Sequence, residues 1–223
     1  MDYSLLSGSS LFAGISPDEI EEILRHVQYR IKKIDEGSLI AQSGEPVNSL
    51  MIVLTGKAKG EMIDFAGKVI KIEEIPASGA LASAFMFGIK NRFPVNVVAM
   101  TDVSLLIIDK AGFLKLMKRD DRILINFLDM ISNRSQFLSE KIKFLNFKTI
   151  KGKLAQFIMQ RAGKDRHSVV LDMTQNEIAD FFGVARPSVA RALGEMEEDG
   201  LISASAKNIR IIDRNRLSAL TAE

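Results

Sequence analysis

The sequence predicts an α+β chain in three parts: a small β-roll of jelly-roll type, one long helix, and a winged helix-turn-helix unit. Three observations predict it. Between Tyr29 and Asp109, short apolar or alternating runs are punctuated by Gly37, Gly44, Gly56, Gly67 and Gly79, the texture of an antiparallel sandwich or barrel. Leu124, Leu128, Ile131, Ser135, Leu138, Ile142 and Leu145 then recur at alternating steps of four and three, the seam of a two-stranded coiled coil broken only by Ser135. Beyond them, two capped amphipathic segments separated by Gly183 precede alternating runs at 201–205 and 208–212. The expected boundaries are 1–119 for a sensor-like β-roll, 120–146 for a dimerisation helix and 147–223 for the terminal unit.

Each element has a local cause. Ser16-Pro17-Asp18-Glu19 is a helix start, with a Ser cap, Pro in the first turn and Glu three residues after the cap. Ile20, Ile23, Leu24 and Val27 follow at helical spacing, with His26 on the same predicted helix. Strands are expected at 29–34, 38–42, 50–54, 57–65, 68–75, 95–100 and 104–108, with one or two helical turns at 80–88 and a short helix at 110–119. The segment 121–146 gives roughly 38 Å of helix, long for a small barrel to cover. Its seam reads as a homodimer helix; the alternative is a long helix packed on its own domain. A helix at 150–161, a loop and a strand at 168–172 lead to Thr174-Gln175-Asn176-Glu177, a capping box. That helix runs through Ile178, Ala179 and Phe182 to Gly183, a C-terminal stop. Pro187 sits in the first turn of the next helix, whose buried stripe is Val189, Ala192, Leu193 and Met196.

Composition narrows the function. The chain has 223 residues, 30 Lys+Arg against 28 Asp+Glu, no Cys and 47% hydrophobic residues, enough for a real core. No apolar run approaches the roughly 18 residues a membrane span needs, and no secretory signal opens the chain, so it reads as soluble and cytoplasmic. Zero Cys removes disulfides, thiolate nucleophiles and Cys-ligated iron–sulfur clusters, and two histidines, His26 and His167, do not make a multi-histidine metal site. No G-x-S-x-G, Walker-type loop or H-E-x-x-H occurs, so an enzyme is not expected. Positive charge gathers at 141–166, where Lys141, Lys143, Lys148, Lys151, Lys153, Arg161, Lys164 and Arg166 face one acid, Asp165. That run reads as a solvated helix face or as phosphate contacts.

Helix, short Gly turn, helix and hairpin is the order of a winged helix-turn-helix, whose second helix enters the major groove by its N-terminal residues. Arg186, Ser188 and Arg191 fall opposite the buried stripe there, and Arg grips guanine in two bonds. The candidate DNA contacts are Thr174, Gln175, Arg186, Ser188, Arg191 and Lys207, and the partner is double-stranded promoter DNA. The acidic run at 195–199 reads as a solvated face or a contact with the neighbouring domain. The rival is a dimeric ligand-binding module whose DNA unit has degenerated, through Pro187 above all.

The stretches Leu138-Ser139-Glu140-Lys141-Ile142, 174–183 and Gly183-Val184-Ala185-Arg186-Pro187-Ser188-Val189-Ala190-Arg191, continuing to Asp199-Gly200-Leu201-Ile202, resemble the Crp–Fnr family of bacterial transcription regulators. The resemblance spans essentially the whole chain. It implies a cyclic-nucleotide-binding-like β-roll, a homodimer and contact with RNA polymerase. In that family the positions of Arg186 and Arg191 read bases, and the position of Pro187 is commonly a Glu that reads cytosine, so the half-site read here is altered. The cyclic-AMP branch binds its ligand through Gly-Glu-Leu and Arg-Ser; this chain has Gly79-Ala80-Leu81 and Phe93-Pro94 instead. A buried phosphate without a cation is costly, so cyclic AMP is not the expected ligand, and zero Cys excludes the iron–sulfur sensors. The replacement is an apolar set, Leu81, Phe85, Phe87, Phe93 and Val95 with Leu138, read either as a pocket for an apolar or haem-like ligand or as a filled core. The stretch from Ala80 to Met100 is similar to the haem-dependent, nitric-oxide-responsive branches, which implies a role in nitrosative stress; His26 is the candidate haem ligand.

Overall fold

The computed structural model describes residues 1–63, 67–145, 147–163, 166–205 and 207–222. They form two compact units, Met1–Asn133 and Arg134–Glu223, with the division inside the long helix. No helix among the described residues is long and apolar enough to cross a membrane.

In the first unit, Leu6, Leu11 and Phe12 from two 3-10 turns are buried. Helix α1 (Pro17–Leu24) is opened by a reciprocal box: the Glu19 amide donates to Ser16 Oγ at 3.4 Å, and the Ser16 amide donates to Glu19 Oε2 at 2.9 Å. The helix ends at Leu24, so His26 lies beyond it and not on it, contrary to the periodicity. Strands β1 (Tyr29–Ile34), β2 (Leu39–Ala41), β3 (Ser49–Thr55), β4 (Ala58–Ile63), β5 (Val69–Ile75), β6 (Ala80–Leu81), β7 (Asn96–Ala99) and β8 (Val103–Asp109) follow. They pair antiparallel in two sheets, ordered β1-β8-β3-β6 and β2-β7-β4-β5. Alternate residues such as Leu50, Ile52 and Leu54 on β3 are buried in a shared core with Val97 and Ala99 of β7. The strand expected at 57–65 ends at Ile63, and its last two residues lie outside the described ones.

Segment 80–88 corrects the helical expectation. Ala80 and Leu81 pair with Ile52 and Met51 as a strand, and only Ser83–Phe85 form a 3-10 turn. Between them Ala82 adopts the left-handed region (φ 45°), which a continuing helix does not tolerate. Phe87 then packs against Phe113 of α2 (Lys110–Arg119) and Phe127 of α3 (Asp121–Leu145), with ring centroids 6.4 and 5.7 Å away.

The second unit holds the C-terminal part of α3, α4 (Ile150–Ala162), β9 (Ser168–Val170), α5 (Gln175–Phe182), α6 (Arg186–Glu198), β10 (Ile202–Ser205), β11 (Asn208–Ile211) and a final short helix α7 (Arg214–Ala219) that the sequence patterns did not announce. The predicted hairpin gains a third strand, in the order β10-β11-β9. Its core centres on rings: Phe144 of α3 lies 5.2 Å from Phe181, 5.3 Å from Phe182 and 5.9 Å from Phe157.

Candidate nucleic-acid interface

The turn between α5 and α6 is built from its ends inward. Thr174 caps α5, its hydroxyl oxygen accepting the Glu177 amide, while the Glu177 carboxylate accepts the Thr174 amide at 2.6 Å. That backbone bond holds the Glu177 carboxyl below its usual range. Gly183 ends the helix in the left-handed region (φ 68°, ψ 36°), a conformation only glycine adopts without strain. Three residues later α6 begins with Arg186 and Pro187 in its first turn. Val189, Ala192, Leu193 and Met196 are buried. Arg186 and Arg191 are exposed and Ser188 half-buried, and among the described residues neither guanidinium has an ion-pair partner. Gln175 stands half-buried at the start of α5, beside the exposed Thr174. Lys207 is exposed between β10 and β11. Two outward guanidinium groups at the N-terminal end of a helix, with polar groups on the neighbouring helix start, suit base edges and phosphates.

The basic run at 141–166 does not form one outward face. Lys151 of α4 donates to Glu195 Oε2 of α6 at 3.0 Å and to Oδ2 of Asp199, which caps α6, at 3.3 Å, and Glu195 chiefly raises its pKa. Glu197 accepts the Ala204 amide at 2.6 Å. Glu195, Glu197 and Asp199 thus bond within their own unit, while Glu197, Glu198 and Asp199 still face solvent. Arg161 pairs with Asp172 at 2.9 Å and stacks on Phe157 at 3.5 Å. Lys141 and Lys153 donate to carbonyls of α5. Of the eight cations, Lys143, Lys148 and Arg166 remain exposed; Lys164 lies outside the described residues. Nothing local marks which lysines turn inward, because their acceptors are distant in sequence.

In the β-roll, Leu81 and Phe93 of the apolar set are buried in the core together with Met86, Phe87 packs partly buried against them, Val95 is half-buried and Phe85 is 40% exposed. The fit to a cyclic nucleotide is poor. Phe93 is 3% exposed where a phosphate would need a cation. The neighbouring Arg92 faces the other way and donates to the Gly44 carbonyl at 2.6 Å. His26 is exposed on a cleft of about 410 Å³ with Arg25, Asp109 and Lys115, its Nε2 3.4 Å from Glu22. It also borders Val27 and Leu116, together with Lys115, Lys118 and Arg119.

Along α3, Leu124, Leu128, Ser135, Leu138 and Ile142 are exposed, whereas Ile131 packs against the first unit's core. Leu145 belongs to the helix by its backbone. Leu138 lies in the second unit's segment of α3.

Residues 31–120 match the family model of the cyclic nucleotide-binding domain, and residues 152–220 that of the Crp-like helix-turn-helix domain. The electron transport regulator A of Shewanella oneidensis is 25% identical over 222 residues, covering 91% of this chain and 81% of that protein. A transcriptional regulator from Thermotoga maritima of known structure is 32% identical, with a TM-score of 0.52, over 58% of this chain and 98% of its own. The crystal structure of the Thermus thermophilus catabolite activator protein has the same fold, with a TM-score of 0.55 and 19% identity over 96% of this chain and 99% of its own.

Proposed function

The chain belongs to the Crp–Fnr family of DNA-binding transcription regulators, and from that premise we propose that it is a homodimer whose paired α6 helices read a two-fold promoter site. The observation that carries the reading is the outward pair Arg186 and Arg191, without ion-pair partners among the described residues, over the buried stripe of α6. Dimerisation is supported by the exposed apolar seam Leu124, Leu128, Leu138 and Ile142. Two such helices sit about one duplex turn apart on DNA. Pro187 has no acceptor to read cytosine, so specificity rests on Arg186, Ser188 and Arg191. RNA polymerase is the partner that such a promoter-bound dimer addresses, in the cytoplasm.

The signal we propose for the β-roll is apolar and not a cyclic nucleotide. Haem responsive to nitric oxide is one form of it, in a role in nitrosative stress, with the exposed His26 as the candidate axial ligand. The burial of Leu81, Met86 and Phe93 favours a second reading, in which the former pocket is filled and no ligand binds. Two experiments test these readings. Selection from random-sequence duplexes should enrich a two-fold symmetric site, and no enrichment would refute sequence reading. Haemin titration followed by absorbance, then nitric oxide under reducing conditions, should give a saturating Soret band at one equivalent per chain for a haem sensor; non-saturating absorbance would leave the filled core.

A further inference from the structure

We propose that Lys141 and Lys153 are positioning residues for DNA reading: from α3 and α4 they grip the last-turn carbonyls of α5 and so set the pose of α6. This deepens the reading of α6 as the sequence-reading helix and rests on it.

Lys141 Nζ donates to the Asp180 carbonyl at 3.1 Å, and Lys153 Nζ donates to the Phe182 carbonyl at 3.3 Å. Cations are favoured at the C-terminal end of a helix; there the Asp180 carbonyl also accepts the Gly183 amide at 3.3 Å, so Lys141 is its second donor. Both lysines are half-buried; the Lys153 bond is partly shielded from water, and the Lys141 bond lies at the surface. Only Gly183, Val184 and Ala185 separate α5 from α6. A shift of the gripped carbonyls therefore passes through a three-residue turn to Arg186 and Arg191. Rings hold the backbones on either side, with Phe137 5.4 Å from Phe181 and Phe144 5.3 Å from Phe182. Phe137, Lys141 and Phe144, at spacings of four and three, form one face of α3. Ser135, Leu138 and Ile142 form another face, which stays exposed. One helix thus carries both the seam offered to a partner and the grip on the reading unit.

The rival role for either lysine is a phosphate contact, and salt dependence separates the two. A phosphate contact steepens log K against log salt by about 0.9 and acts alike on all sequences. The test uses the full chain, the operator that it selects from random duplexes, and one random duplex. With Lys141→Met and Lys153→Met combined, operator affinity should fall about tenfold, while random-duplex affinity and salt slope stay unchanged. Lys153→Arg, which keeps the cation, should restore most of the loss. In the DNA-free protein the Gly183 and Val184 amides should exchange about tenfold faster, with α1 amides unchanged. Equal losses on both duplexes with a shallower slope would overturn the proposal, as would unchanged operator affinity with unchanged exchange. Selection that enriches no sequence would refute α6 as a reader, while amide exchange would still decide the grip.

Discussion

Replacing Phe144 by Ala should be among the most damaging single changes in the second unit and should leave the first untouched. Phe144 is 2% exposed, and its ring lies within 6.1 Å of the rings of Phe147, Phe157, Phe181 and Phe182. Truncating a buried Phe costs about 3–5 kcal/mol through lost transfer energy and the cavity left behind. Tilted and edge-on ring pairs add about 0.5–1.5 kcal/mol each beyond burial, though neighbouring pairs do not sum. The upper end, about 5 kcal/mol, is the expected loss. Whole domains are stable by only about 5–15 kcal/mol, so the variant unit would be marginal. Amide exchange resolved along the chain reads each unit separately. The slowest amides of α4 and α5 should lose protection, and those of β3 and β8, in a different core, should keep it. A loss below about 1 kcal/mol would refute the ring cluster as the centre of this unit. Equal losses in both units would refute their independence.

Arg191→Ala should cost about 1–3 kcal/mol on the selected operator and flatten its sequence preference; an equal loss on random duplex would make Arg191 a phosphate contact. Leu138→Asp should halve the mass seen by sedimentation, and an unchanged mass would sink the dimer seam. The Glu19 carboxyl, which accepts the Ser16 amide and pairs with Arg122, is lowered from 4.5 to about 2. Because its folded pKa is depressed, its contribution is complete above about 4.5 and fades as pH falls toward 2. A carboxyl titration by NMR should find it well below its neighbours, and a value near 4.5 would remove the capping box from the account. Gly56→Ala should cost at least about 1–3 kcal/mol in thermal unfolding, since φ is +84° and a Cβ would strike the Asp102 carbonyl oxygen. Millimolar cyclic AMP should leave the melting temperature unchanged; a rise of several degrees would reopen that pocket.

Much of the fold was legible because its signals are local. Ser16 with Glu19 and Thr174 with Glu177 bond to each other across three residues, so the helix starts could be read without knowing any neighbour. Gly183 and Pro187 act on their own backbone, which is why the turn before α6 and the outward pair Arg186 and Arg191 were visible too. Segment 80–88 was misread because apolar residues at helical spacing cannot reveal that Ala80 and Leu81 pair with β3, thirty residues away in sequence.

By itself the sequence determined the order of most elements, though not α7 or the strand at Ala80–Leu81. It also determined the caps of α1 and α5 and which residues of α6 face outward, since each of these depends on neighbours within about one helical turn. Only the tertiary structure decided the fate of the long cations. A lysine stem reaches water, a phosphate or a carbonyl with equal ease, and the choice falls to whichever acceptor packing brings near. For Lys141 that acceptor is 39 residues away and for Lys151 it is Asp199, 48 residues on and just past the end of α6, so no local pattern separates them from Lys143 and Lys148. The same reason buried Phe93 and turned Arg92 to Gly44: side-chain alternation sets opposite faces, but only the packed sheets say which face is the core.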